Sequence, residues 1–90
     1  MEFDWDAGNR DHLARHGISA AEFEQGFRNQ PIQIDEYQVR GEWRTKVIAI
    51  TDAARLLELV YTVREGLIRA VTAFPLKRRR RGFYGGQFKK

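Results

Sequence analysis

Cysteine is absent from this chain, which excludes a disulfide framework and any thiolate-bound zinc, so the hydrophobic core alone has to hold the fold. That absence suits a cytoplasmic protein. Long hydrophobic runs are missing too. The longest, around Leu56 to Val63, is of strand length and is broken by Glu58, too short to span a bilayer. Met1 is followed at once by Glu2, Asp4 and Asp6 instead of a basic segment and an apolar stretch, so no signal peptide is expected. Ninety residues leave room for one domain, small enough for its stability to be marginal. It is expected to be compact over residues 1–84, with a flexible basic tail over residues 85–90, and to make no contact with a membrane.

Acidic residues are absent after Glu65, whereas Lys77, Arg78, Arg79, Arg80, Arg81, Lys89 and Lys90 all follow Pro75. Residues 1–76 carry nine basic and twelve acidic groups, so the net charge of +4 hides a mildly acidic body and a basic end. Such a block suits nucleic acid or an acidic partner, and a solubilising terminus has the same composition.

The local pattern predicts an α+β fold. Phe3 and Trp5 alternate with Glu2, Asp4 and Asp6, which reads as a short N-terminal strand leading into a helix. Asp6 is a suitable N-cap and Gly17 a suitable residue just past the C-terminus, so the first helix is expected over residues 7–16. "SAAE", Ser19 to Glu22, has the spacing of a capping box, and Phe23 and Phe27 then form a core stripe on a second helix over residues 20–28. From Pro31 the apolar period changes to two, and four strands follow. They run from Ile32 to the "RGE" turn, from Thr45 to Thr51, from Leu56 to Val63 and from Leu67 to Phe74. The strand "TKVIAIT" is apolar on both faces and is expected to be central. Short connections imply an antiparallel meander, with the two helices packed on one face. Pro75 ends the last strand, and Leu76 to Tyr84 reads as a short basic helix.

The only two histidines, His12 and His16, are four residues apart and share a helix face. Two imidazoles at this spacing can share a zinc ion, but no third ligand stands in a recognisable frame, so no metal site is expected. His16 near the end of the helix can instead meet its free carbonyls. Arg69 interrupts the apolar strand "LIRAVTA" beside Leu67 and Val71; its charge is either open to solvent or paired with a carboxylate such as Glu58, and it could bind phosphate. Arg44 and Lys46 share a face of the second strand, and Arg64 lies at a turn. The end, "KRRRRGFYGGQFKK", interleaves Arg78, Arg79, Arg80 and Arg81 with Phe83, Tyr84 and Phe88. Guanidinium groups that grip phosphates and rings that stack on bases suit single-stranded RNA.

"FDWDAGNRDHLARHGIS" resembles the opening of the BrnT-type toxins of bacterial type II toxin–antitoxin pairs, through Trp5, Asp6, Arg15, His16 and Gly17. "LLELVYTVREGLIRAVTA" looks like the closing hairpin of that family, through Tyr61, Thr62, Arg64, Ile68, Arg69, Thr72 and Ala73. The arginine-rich helix with Tyr84 matches its end. The resemblance implies a fold similar to RelE-type ribonucleases, RNA cleavage that needs no metal or other cofactor, and a BrnA-like antitoxin that covers the basic site, in an assembly that could be a toxin–antitoxin heterotetramer. Cleavage would run through attack of the ribose 2′-hydroxyl on the adjacent phosphate. Onto that chemistry Arg69, Arg64 and Lys46 are placed as phosphate and transition-state stabilisers and His16 or Tyr84 as proton carriers, with Arg44, Arg78 to Arg81 and Phe88 along the RNA. His12 is expected to be incidental. The family pattern has asparagine where this chain has His12, a basic pair in place of Phe74 and Pro75, and glutamate at Arg80. Two rival readings keep the scaffold without the chemistry: an RNA-binding module, and a domain that docks an acidic partner.

Overall fold

A computed structural model describes residues 1–88. Helix α1 (Ala7–Ala14) and helix α2 (Ala20–Arg28) precede four strands, β1 (Ile32–Val39), β2 (Glu42–Ile50), β3 (Leu56–Arg64) and β4 (Leu67–Pro75). Helix α3 (Arg78–Tyr84) follows and runs into a 3₁₀ turn, Gly85–Phe88. The strands form one antiparallel sheet in the order β1-β2-β3-β4, the expected meander with β2 inside it. The expected N-terminal strand is present as a single parallel bridge between Phe3 and Ile68, because Asp6 turns the chain into α1 two residues after that pairing ends.

Local signals account for the helix ends. The Asp6 carboxylate accepts from the Asn9 amide at 2.8 Å while the Asn9 side chain accepts from the Asp6 amide at 2.9 Å, a reciprocal cap. At the other end Gly17 N–H donates to Ala14 and Ile18 N–H to Leu13, the paired bonds of a Schellman motif. Regular α1 therefore stops at Ala14, and His16 sits in its closing turn rather than in the helix. Ser19 and Glu22 form the capping box of α2. Both tight hairpins use two residues of positive φ, Arg40 with Gly41 and Glu65 with Gly66, the twist that lets adjacent strands close without splaying.

The sheet is covered on both faces. On one, Leu13, Ile18 and Phe23 of the helical layer bury against Val47, Ala49, Leu57, Leu59, Ile68, Ala70 and Ala73. Phe3, Trp5, Phe27 and Tyr61 close this core, with Phe27 packed edge-on to Tyr61 at 4.7 Å. On the other, Ile48, Leu56 and Leu76 pack with Ile34, Ile50, Tyr84 and Phe88, so α3 and its 3₁₀ turn cap the face that α1 and α2 leave open. Lys89 and Lys90, the remainder of the expected tail, lie outside the described residues.

Between β3 and β4 the register shifts: Val60 pairs with Thr72 but Tyr61 with Ala70, leaving Val71 as an extra residue. A bulge of this kind reverses which residues face the core beyond it. Ile68 and Ala70 point into the helical-layer core on one side of the bulge and Ala73 on the other, and Phe74 is thereby sent to the opposite face, directly across from Glu58.

Candidate functional site

Glu58 interrupts the apolar strand β3 between Ile48 of β2 and Phe74 of β4. Its residue is only 8% exposed, and a carboxylate at that depth is tolerated when cations and hydrogen bonds compensate its lost hydration. Arg80 Nη1, reaching back from α3, donates to Glu58 Oε1 at 2.6 Å, and Lys46 Nζ of β2 stands 3.8 Å from Oε2. Lys46 lies diagonally across the β2–β3 ladder from Glu58, on the same face, because Ile48 is the direct partner. The Glu58 carboxylate holds Arg80 above the ordinary arginine range, against the opposite pull of partial burial. The Arg80 guanidinium also lies over the ring of Tyr84 at 5.7 Å.

Glu58 and Arg80 form one wall of a cleft of about 450 Å³ that is also lined by Phe74, Pro75, Leu76, Lys77 and Arg79. Arg79 and Lys77 rim it without an ion pair among the described residues, so its charge is net positive although its floor holds a carboxylate. His16 reaches the same region through the aromatic ring of Phe74, 5.0 Å away and nearly perpendicular. His12, one turn back, shares a hydrogen bond of 3.0 Å between its Nε2 and Thr72 Oγ1 on β4 and lies 5.5 Å from the His16 ring. The histidine pair thus sits on the strand that carries Phe74, with His12 anchoring it.

The other sequence-predicted cations lie elsewhere. Arg64 Nη2 and Arg44 Nε grip the two oxygens of Glu42 at 2.7 and 3.2 Å at the hairpin end of the sheet, and Arg64, ahead of the opposing effect of burial and the help of Arg44, draws the Glu42 carboxyl below its usual range. Arg69 is paired, as one of its two alternatives required, but its partners are Asp6 at 2.7 Å and Asp4 at 3.3 Å, not Glu58. The reason is the bridge at Ile68, which lays the N-terminal segment along the outer edge of β4. The Asn9 backbone amide first, and the Arg69 guanidinium next, hold the Asp6 carboxyl below its usual range.

Of the expected site residues, Arg79 and Arg80 line the cleft, and Lys46, Tyr84 and His16 adjoin it through Glu58, Arg80 and Phe74 in turn, while Arg64 with Arg44 and Arg69 occupy two further clusters. Arg78 is exposed on α3. Arg81 donates to the Leu76 carbonyl at 3.1 Å, and Phe88 packs with Tyr84 in the smaller core. Glu58 as the hub of the cleft, Phe74 and the Thr72 anchor of His12 were not singled out as site residues. A lone acidic residue inside "LLELV" was a visible signal for the first; the other two depend on the bulge. Among the described residues no three His, Asp or Glu side chains converge as metal ligands.

The family model described as ribonuclease toxin, BrnT, of type II toxin-antitoxin system matches residues 5–79. The matched span runs from Trp5 through both helices and the whole sheet into the first turn of α3, and it includes every residue that lines the cleft except Arg80. No curated protein matches the chain.

Proposed function

The chain belongs to the BrnT family of ribonuclease toxins of type II toxin–antitoxin systems, and from that premise we propose that it cleaves single-stranded RNA without a metal in the cleft between β3, β4 and α3. The observation that carries this placement is the convergence of Lys46 and Arg80 on Glu58 at 3.8 and 2.6 Å. The buried carboxylate holds two cations in place before any substrate arrives, and fixed charges act on developing phosphate charge without the cost of reorganisation. Arg79 and Lys77 supply uncommitted charge at the rim.

In this reading the 2′-hydroxyl attacks the adjacent phosphorus, its proton passes to a ring nitrogen of His16, and the bond to the 5′-oxygen breaks. Histidine suits that task because an imidazole nitrogen can accept a proton and release it again. The 5′-oxygen leaves with a proton from Tyr84 or from water, and the product ends in a 2′,3′-cyclic phosphate. Lys46 and Arg80 stabilise the added charge on the non-bridging oxygens. Arg69, bound to Asp4 and Asp6, ties the N-terminal segment to β4, and Arg64 with Arg44 fixes the hairpin end. A BrnA-like antitoxin would neutralise the protein in the cytoplasm by covering the cleft.

The test is incubation of purified protein with labelled single-stranded RNA in excess EDTA. Wild-type protein is expected to leave 2′,3′-cyclic phosphate or 3′-phosphate ends, and Lys46→Ala and Arg80→Ala each to lose about a hundredfold in rate, as expected when one transition-state donor is removed. Cleavage that persists unchanged in both variants would sink the placement. Salt-sensitive RNA retention with no cleavage by the wild type would favour the binding-module reading.

A further inference from the structure

We infer that Phe74 is a base-stacking platform: one base of single-stranded RNA lies on its ring while the neighbouring backbone phosphate meets Arg79 at the rim of the cleft. This rests on the RNA-cleaving reading above and adds to it the residue that positions the nucleotide.

Three observations meet at this side chain. Phe74 retains 36% of its surface, although it lies directly opposite the nearly buried Glu58 and could have been covered by α3. The helix instead presents Arg79 and Arg80 there, and both line the cleft with Phe74. An exposed ring next to guanidinium groups is the pairing that single-strand binding uses, since any base offers a π-face and the adjacent cation takes the phosphate. The β4 bulge is the second observation. Without the extra residue, Val71, the strand would place Phe74 on the same side as Ile68 and Ala70, in the helical-layer core. Bulges next to active sites commonly re-aim a side chain in this way. Third, the ring is held: His16 packs against it at 5.0 Å with the planes 77° apart, an arrangement that restrains an aromatic side chain.

The remaining exposed aromatic side chains among the described residues lack this setting. Trp43, 56% exposed, lies in a depression shared with Glu36 and Glu42, where carboxylates oppose a phosphate. Phe83 is 70% exposed but does not line the cleft. At about 450 Å³ the cleft falls within the size range of small-ligand sites, about 300–1,000 Å³. Its floor, Glu58 with Arg80, then lies beside the bound nucleotide, which places the scissile phosphate near Arg80, near Lys46 on the far oxygen of Glu58 and near His16 behind the ring.

The experiment uses a short single-stranded RNA in which 2′-O-methyl groups block cleavage and 2-aminopurine replaces one base, moved position by position. Binding to the full chain is read by anisotropy and stacking by quenching of the 2-aminopurine fluorescence. Wild-type protein is expected to quench the probe at one position. Phe74→Leu and Phe74→Met are expected to abolish that quench and to weaken binding about ten- to a hundredfold, the range of one lost base–aromatic stack. Phe74→Tyr is expected to keep both. Wild-type protein that binds the RNA without quenching at any position, or leucine and methionine variants that bind and quench as the wild type does, would overturn the platform and leave the ribonuclease reading standing. Wild-type protein that does not bind RNA at all would overturn both.

Discussion

Asp6 joins two jobs in one carboxylate: it accepts the Asn9 amide that starts α1 and receives Arg69 from β4 at 2.7 Å. Both contacts favour the charged form, so its pKa falls below the ordinary value of 3.8 in the folded chain. A carboxyl group depressed in this way contributes stability above its unfolded-state pKa, and that contribution is lost as pH falls through the folded value. Asp6→Asn keeps an oxygen for the cap but loses the charge. Urea midpoints measured from pH 6 to pH 3 are therefore expected to fall less steeply for Asp6→Asn than for the wild type, with the variant weaker at pH 6 and the two curves converging in acid. Parallel curves would show that the Arg69 pair contributes nothing to the pH dependence. At this scale the sequence showed which residues carry charge but not which carboxylate each cation meets. Arg69 finds Asp4 and Asp6 because of one backbone bridge more than sixty positions away in sequence, and Lys46 finds Glu58 only in the register that sets Ile48 opposite it.

Elements were legible where their signals are local. Asp6, Gly17 and the Ser19–Glu22 box act within a turn of chain, and the two Gly-containing hairpins fix their own geometry, so helix starts and the meander could be placed before the fold was known. The β4 bulge could not, because strict alternation in "LIRAVTAF" and a shifted register differ in packing across strands rather than in local pattern. That single extra residue separates a buried Phe74 from an exposed one. Close approach between layers is equally hidden. Gly26 of α2 faces β2 and β3, and a Cβ added there would stand 2.9 Å from Ala49 Cβ and 3.0 Å from Leu59 Cδ1. Replacing a helical glycine by alanine ordinarily stabilises by up to about 1 kcal/mol. Overpacking typically costs about 1–3 kcal/mol, and here the obstacle at Ala49 is a core side chain of one carbon that cannot swing aside. Gly26→Ala is accordingly expected to destabilise the protein by about 1 kcal/mol or more, seen as a lower urea midpoint with an unchanged slope. A raised midpoint would mean that the helix can retreat from the sheet at little cost.

Over the whole molecule, charge is sorted so that the carboxylates that form ion pairs hold cations of the sheet and helices, while Lys77, Arg78 and Arg79 at the start of α3 have no ion pair among the described residues. Glu42, Glu58 and the Asp4–Asp6 pair each hold arginine or lysine on the sheet or α3, and Glu22 holds Arg55 at 3.0 Å. An RNA strand approaching the cleft thus meets a body whose arginines are largely neutralised and an α3 face where Lys77, Arg78 and Arg79 have no ion pair among the described residues. Affinity for RNA should then come from few phosphate contacts, and its salt dependence should report them. Each phosphate neutralised on a single strand contributes a slope of about −0.7 to log K against log salt. If Arg78 and Arg79 each take one phosphate, the Arg78→Gln, Arg79→Gln double variant is expected to have a slope shallower by about 1.4, measured by anisotropy with the non-cleavable RNA over a salt titration. Phe74→Leu should lower affinity with the slope unchanged, because a stacked base releases no counterions. Equal slopes for wild type and the double arginine variant would move the phosphate track off α3, while a slope change in Phe74→Leu would mean that the ring orders the arginines beside it instead of holding the base.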